Sequence, residues 1–528
     1  MQMKKFIPSI LALAILASCS QSDQLRLEQL EKDYAALQDK AAAVVPASAE
    51  PSADEQSEYS FGFDQLRYGI DAGGSISIRY SLPEPSTVEV AAKEGWRASV
   101  TADSATEGTI TVTAPDPASP CDIVATATAQ DGSITAVTLP VMVRDPYSAA
   151  TRPVMDALGY YLRTHNRSLE NCRKLAAAGL TIVTVESEDA DFEELMDMCR
   201  QAGLKVLLIA GGYVARAYSD PARYPELVSL VAKMKNHPEL YGWHICDEPS
   251  INEAALLKGR KDMLEALDPD HPVYINYHPD ASPSSLGVDT YKEYIDRFTD
   301  YLDQDLISFD IYPVLPGSIM PSWHMCLKTV AEAAKRHNVP FWTFAASCWI
   351  DRESLLREKP NAYNERMQIY TGLAYGSQCI QYFTIHQYGG TSYAPFMADG
   401  SWSQAYEEMK EANLEMQRRA FVFRGSNVTK VRQAGEMSTY SMALSPGDLP
   451  EEIEDIHSNG SVTASFVENN GNEYIAIVNN YWNVDQDVAV DANDWYYEID
   501  KDGNFIEHGP GVSYLKVEKG GMTVLKYR

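Results

Sequence analysis

Basic side chains are scarce in this chain: 44 lysines and arginines stand against 74 aspartates and glutamates over 528 residues, a formal charge of −30. Such a surface repels nucleic-acid phosphates and anionic lipid, which excludes nucleic acid as a partner and favours a neutral or cationic small ligand. Cysteine is sparse too. Beyond Cys19 there are seven, at 121, 172, 199, 246, 326, 348 and 379. They form no CxxC pair and no zinc-like spacing with histidine, so neither a metal site nor an essential disulfide framework is expected. No apolar run after the N-terminus reaches the ~18–20 residues of a spanning helix. A glycine-rich phosphate loop is also missing, and no cofactor is expected. Tyrosine, by contrast, is abundant, 31 against 14 phenylalanines. Its ring can stack on sugar C–H groups while its hydroxyl hydrogen-bonds.

At this length one hydrophobic core does not suffice, and roughly three folded units are expected. Lys4 and Lys5 precede an apolar stretch from Phe6 to Leu16, and Leu16-Ala17-Ser18-Cys19 sets small residues before a cysteine. The run resembles a bacterial lipobox. That resemblance implies removal of residues 1–18, a lipid on Cys19, and a cell-envelope protein held to a membrane by the lipid alone. Leu27, Leu30, Tyr34, Leu37 and Ala41 then alternate three and four apart, as in a short helical stalk with a seam for self-association. Residues 42–58, rich in Ala, Ser, Pro and acid, read as a flexible spacer completing the 19–58 segment.

From 59 to 147 the pattern changes to short alternating runs at 75–80, 109–113 and 123–127, which predict a small β-sandwich. Asp71-Ala72-Gly73-Gly74 before a strand, and Gly95-Trp96 followed by Ala98 and Val100, resemble the BACON domain of Bacteroidetes carbohydrate-active proteins. The resemblance implies a spacer or glycan-contacting module. Trp96 itself is expected in the sandwich core.

Between 148 and 426 strand-like and helix-like runs alternate. Strands are expected at 157–161, 181–186, 205–210, 241–247, 272–277, 306–312, 340–346 and 379–386, and eight is the number that closes a barrel. Helices stop properly at Gly179, Gly203 and Asn338. From 427 to 528 the alternation ceases. An Asn470-Gly471 hairpin turn and a last strand near 522–527 predict a C-terminal β-sandwich. The fold class is thus α/β, a (β/α)8 TIM barrel flanked by N- and C-terminal β-sandwiches.

In such a barrel function sits at the carboxyl ends of the strands. The fourth ends Cys246-Asp247-Glu248-Pro249, with two adjacent carboxylates and a proline expected to hold Glu248 extended. The fifth ends Asn276-Tyr277-His278, and the sixth runs Asp310-Ile311-Tyr312-Pro313. The fourth end resembles the Asn-Glu-Pro motif of clan A glycoside hydrolases, with Asp247 in place of asparagine. Asp310-Ile311-Tyr312-Pro313 and the stretches 370–376 and 382–383 are similar to family 42-like members. The resemblance, covering roughly 155–425, implies that Glu248 is the general acid/base in cleavage of an oligo- or polysaccharide. A glycosidic oxygen leaves poorly unless protonated, and a carboxyl whose pKa is raised by Asp247 and by burial can protonate it. Acids here could also merely cap the next helix.

One departure weakens the enzyme reading. The clan's nucleophile is a glutamate at the seventh strand's end, whereas this chain reads Ala345-Ala346-Ser347-Cys348-Trp349, with Asp351 and Glu353 only beyond. Two mechanisms remain open. In one, Asp247 orients a substrate acetamido group that itself attacks; in the other, Asp310 is the base on a water across the ring, with the carboxyls roughly 6.5–9.5 Å apart. Glu186, Tyr277, His278, Tyr312, Trp342, Trp349, His386 and Tyr388 are candidate substrate contacts, although Glu186 could equally join an ion pair. The rival function is a non-catalytic glycan-binding protein on a degenerate barrel.

Overall fold

The computed structural model describes residues 61–528 apart from 66, 163–166, 352–355, 388, 390 and 439. Cys19, the stalk and the spacer lie outside the described residues, as do Glu353 and Tyr388. Residues 61–528 form one compact unit, and no described helix is long and apolar enough to cross a membrane.

Two four-stranded sheets open the unit and share one core, in which Ile78, Ile110, Val112, Ile123 and Val143 are fully enclosed. Their strands include Ser75–Ser81, Glu107–Thr113 and Cys121–Ala129, each spanning an alternating run of the sequence. Trp96 is buried among these side chains. Gly73, at φ +70°, turns the chain before Ser75, with the Gly74 N–H donating to the Asp71 carbonyl at 2.9 Å. A side chain would be strained there.

Eight parallel strands then close a barrel: Asp156–Gly159, Ile182–Glu186, Lys205–Ile209, Leu240–Asp247, Val273–Tyr277, Ile307–Phe309, Phe341–Ala346 and Cys379–Phe383. All eight expected strands are present. The first, third, sixth and eighth stop short of their expected ends, and Asp310, Tyr312 and His386 follow their strands in loops. Helix Phe192–Ala202 ends on Gly203 and helix Trp323–His337 on Asn338, both left-handed.

Strand alternation sorts the barrel's side chains into two populations. One faces inward, among them Leu158, Tyr160, Ile182, Leu207, Tyr274, Leu306, Trp342, Phe344 and Cys379. Their neighbours, such as Val183, Leu208, Ile275, Ile307, Ala345 and Ile380, face the helices in a much larger core. That outer core runs on into the C-terminal sheet through Val467, Tyr474, Val478 and Val524.

The C-terminal region has a six-stranded and a three-stranded sheet. Strands Ser461–Asn469 and Asn472–Asn479 pair in register through a two-residue turn, with Asn470 at φ +49° and Gly471 at φ +71°. Two positive angles are what this hairpin turn requires. The N-terminal sheets meet this turn, where Asn470 and Asn472 side chains donate to the Ala118 carbonyl. All seven described cysteines are free thiols, six of them buried.

Candidate active site

The fourth strand carries a bulge near its end. Its pairing with the fifth strand shifts between His244 and Cys246. His244 faces inward against Tyr160 and Tyr274, while Ile245 and Cys246 both pack toward the outer core. The extra residue turns Asp247 inward, where its Oδ1 accepts from Asn276 Nδ2 at 3.0 Å. Bulges commonly re-aim side chains in this way.

Glu248 follows at φ +45°. The sequence predicts extended geometry before Pro249, and the structure corrects this to the left-handed region. Its N–H donates to the Asn276 carbonyl at 2.9 Å, which fixes the peptide across the strand gap. A non-glycine residue here costs on the order of 1–3 kcal/mol, and such strain gathers at functional sites. Tyr294, from helix Tyr291–Leu302, secures the same corner: its hydroxyl donates to the Pro249 carbonyl at 2.7 Å and accepts from the His278 N–H at 3.2 Å. Pro249 thus leads away from the strand with its carbonyl engaged.

Asn276 is the hub. Its Nδ2 donates to Asp310 Oδ1 as well as to Asp247, both at 3.0 Å, and its Oδ1 accepts from Ser308 Oγ at 3.0 Å. Asp310 is buried close to Glu248, whose charge together with that of Asp247 pushes the Asp310 carboxyl above its usual range. Two neighbouring carboxyls repel when both are ionised, which raises the pKa of one of them. Asp310 as base on a water across the ring needs the two carboxyls roughly 6.5–9.5 Å apart, so their closeness bears on which mechanism the site can run.

All three carboxyls are pushed above the usual carboxylate range. Burial is the main cause for each; Glu248 and Asp247 add repulsion at Asp310, and Glu248 adds it at Asp247. Among the described residues no lysine or arginine pairs with any of them. Among the described residues His278 comes near, with its Nδ1 3.8 Å from Glu248 Oε1. Burial pushes its pKa down, so it is neutral near pH 7. The Glu248 side chain is 40% exposed, which opens the cluster to the barrel mouth.

Of the expected contacts, Glu186 is half-buried at the second strand's end, and His278 joins the cluster. Tyr312 is half-buried beside Phe383 and Phe344. Trp349 lies in a two-stranded ribbon after the seventh strand, its Nε1 donating to the Arg357 carbonyl at 3.1 Å. His386 is buried against a crevice shared with Phe396 and Trp402.

Two expectations are overturned. Tyr277 points outward, stacked on Phe298 at 5.1 Å with its hydroxyl on Gln304. Trp342 faces inward but at the strands' amino ends, against Tyr241 at 5.4 Å. Neither reaches the mouth. Asn276 and Tyr294 were passed over, because an amide and a helix phenol carry no signal until the strands bring them to the carboxyls.

The seventh strand ends in Ala346, and Ser347 Oγ donates to the Thr384 carbonyl at 3.1 Å. No described carboxyl occupies that end. A groove of about 930 Å³ lies at the barrel's other end, between helix Trp323–His337 and strand Asn427–Gly435, and contains none of the three carboxyls. Among the described residues no group of His, Cys, Asp or Glu is placed to hold a metal ion.

No family model and no curated protein sequence matches this chain. Among solved structures it is similar to a β-galactosidase from the psychrophilic Marinomonas, at 11% identity over 51% of this chain and a TM-score of 0.39; the chain spans 60% of that protein's length. It is also similar to a family 39 glycoside hydrolase from the gut symbiont Bacteroides cellulosilyticus, at 11% identity over 89% of this chain and 100% of that one, TM-score 0.44. A family 5 glycoside hydrolase from Bacteroides vulgatus gives 12% identity, 72% and 90% coverage and a TM-score of 0.48.

Proposed function

We propose that this chain is a glycoside hydrolase-like protein that cleaves a glycosidic bond of a host or plant glycan, with Glu248 as the acid. The observation that carries this reading is the placing of Glu248 against Asp310 and Asp247 at the barrel mouth. A carboxyl held at a strained position, open to the mouth and raised in pKa by burial, can carry a proton toward neutral pH and deliver it to a leaving oxygen.

This placing also favours one mechanism. With Asp310 close to Glu248 and no described carboxyl at the seventh strand's end, an attacking group from the substrate itself fits best. Asp247, oriented by Asn276, is the residue to steady a 2-acetamido group as its oxygen attacks the anomeric carbon. Asp310, raised in pKa by burial and by the charge of Glu248, is then the cluster's reserve of that proton between turnovers. Tyr312 and Glu186 are the proposed contacts on either side. The lipid on Cys19, the envelope location, the stalk's self-association and the BACON-like role of residues 59–147 belong to the same reading.

The empty seventh-strand end favours a second reading, a glycan-binding protein on a barrel that no longer cleaves. A panel of glycans incubated with the wild type and with Glu248→Gln, and assayed for released sugar, separates them. Hydrolysis by the wild type, with turnover falling about 10²–10⁴-fold in the variant, supports the enzyme. Binding without release across the panel supports the second reading.

A further inference from the structure

The chain beyond the seventh strand forms one side of a short antiparallel ribbon, Trp349–Ile350 against Thr391–Tyr393, in which Trp349 and Tyr393 stand opposite each other. Opposed residues of such a pair project from the same face. Arg357 is strapped beside the ribbon by its backbone: its N–H donates to the Ile350 carbonyl at 2.9 Å, and its carbonyl accepts from Trp349 Nε1 at 3.1 Å. The guanidinium is fixed as well. Its Nε donates to the carbonyl of Tyr312, after the sixth strand, at 2.6 Å, and its Nη1 to the Leu356 carbonyl at 3.2 Å. The carboxyl ends of strands six and seven thus hold Arg357 at the rim of the mouth.

This arginine lacks an acid. Both anchors of its guanidinium are neutral carbonyls, and in a chain of charge −30 it makes no ion pair among the described residues. Burial pushes its pKa down, so the charge is held at a cost that an external anion would relieve. Lys359 repeats the pattern two residues on. It is exposed, makes no ion pair among the described residues, and sets its Nζ 3.8 Å above the Tyr393 ring. A contact of this kind holds an ammonium in place without neutralising it. Glu358 shares a crevice with Arg357, and Glu408 accepts from the Tyr393 hydroxyl at 3.3 Å, yet neither makes an ion pair with either cation.

We propose that this ribbon is a subsite for an acidic sugar of the glycan, whose ring packs on Trp349 and whose carboxylate or sulfate is taken by Arg357 and Lys359. The proposal rests on the reading of the barrel mouth as a glycan site, and it names the class of glycan. Trp349 is half-buried with its Nε1 tied down, so its ring is a fixed platform for the C–H face of a pyranose. A planar guanidinium anchored through Nε and Nη1 keeps Nη2 to donate, and its donors match the oxygens of either anion. Tyr312 joins the subsite to the carboxyls, because its carbonyl holds Arg357 and it stands two residues after Asp310. The acid surplus of the chain disfavours anions in general, and two cations without acids are what admit one here.

Calorimetry on the full chain carrying Glu248→Gln reads binding while the ligand stays whole. The probes are uronic-acid oligosaccharides, each beside its carboxyl-reduced form, and sulfated oligosaccharides, each beside its desulfated form. An acidic member is expected to bind about tenfold or more tighter than its neutral counterpart at low salt, and the preference shrinks as salt is added. Arg357→Gln removes most of it. Lys359→Gln, an exposed change that spares every backbone contact named above, lowers it about two- to threefold. Preference within the uronate pairs assigns the charge to a carboxylate, and preference within the sulfated pairs assigns it to a sulfate. Equal binding of acidic and neutral members, or a preference that survives both substitutions, overturns the proposal. No binding by any member overturns it together with the glycan reading of the mouth. If the preference holds and the wild type cleaves none of the panel, only the role of Glu248 as acid fails.

Discussion

Two carboxylate clusters in this molecule use the same residue types to opposite ends. Between helices Ala362–Ala374 and Gln404–Arg418, Glu415 is as deeply buried as Asp310, yet Arg366 Nε donates to its Oε2 at 2.9 Å and Tyr370 adds a bond at 3.0 Å. Glu411 completes the group from the surface, 2.5 Å from Arg366. There a guanidinium neutralises the acids, and the cluster ties the barrel's last helices together. Among the described residues no such cation stands at the mouth, and burial raises the carboxyls' pKa values there instead. The difference teaches where chemistry is available: a paired cluster is inert, whereas an unpaired one holds something it can give away.

The comparison breaks most visibly if Arg366 is replaced. Arg366→Met strands Glu415 in the interior, and denaturant unfolding should show a loss of about 3–5 kcal/mol. Asp310→Asn should act in the opposite sense. A carboxyl whose folded pKa lies above its unfolded value makes the native state lose stability as pH rises from about 4 through the raised value, since the native form holds the extra proton. The asparagine variant escapes that loss. Its unfolding midpoint should match the wild type near pH 4 and exceed it by on the order of 1 kcal/mol at higher pH, while turnover falls. The smallest effect is expected at Glu411, whose side chain is 58% exposed. Glu411→Gln should cost under about 0.5 kcal/mol, which shows that burial together with pairing, not the count of charges, sets the contribution.

The barrel was legible in the sequence because buried parallel strands read as short apolar runs between helices with clear stops, such as Gly203 and Asn338. Asp247 and Glu248 were legible as adjacent acids before a proline. Which way a strand's residues face was not: Tyr277 and Asn276 are neighbours of equal promise, and only closure of the barrel sends one into the outer core and the other to the carboxyls. The same ambiguity hid Trp342 at the strands' amino ends. Proline suggested extended backbone at Glu248, whereas a bond to the Asn276 carbonyl holds it left-handed. Asp310 could be placed after the sixth strand, but its approach to Glu248 crosses the barrel mouth from a strand two positions away, and no pattern local in sequence encodes that.

The account turns on Glu248 giving its proton to the leaving oxygen, and leaving-group dependence measures that step alone. On a glycan hydrolysed by the wild type, kcat/KM of Glu248→Gln is compared for the natural glycoside and for a dinitrophenyl glycoside of the same sugar, whose leaving group needs no proton. The account predicts a loss of about 10²–10⁴-fold on the natural bond that largely disappears on the activated one. An equal loss on both substrates, or no loss on either, would contradict it.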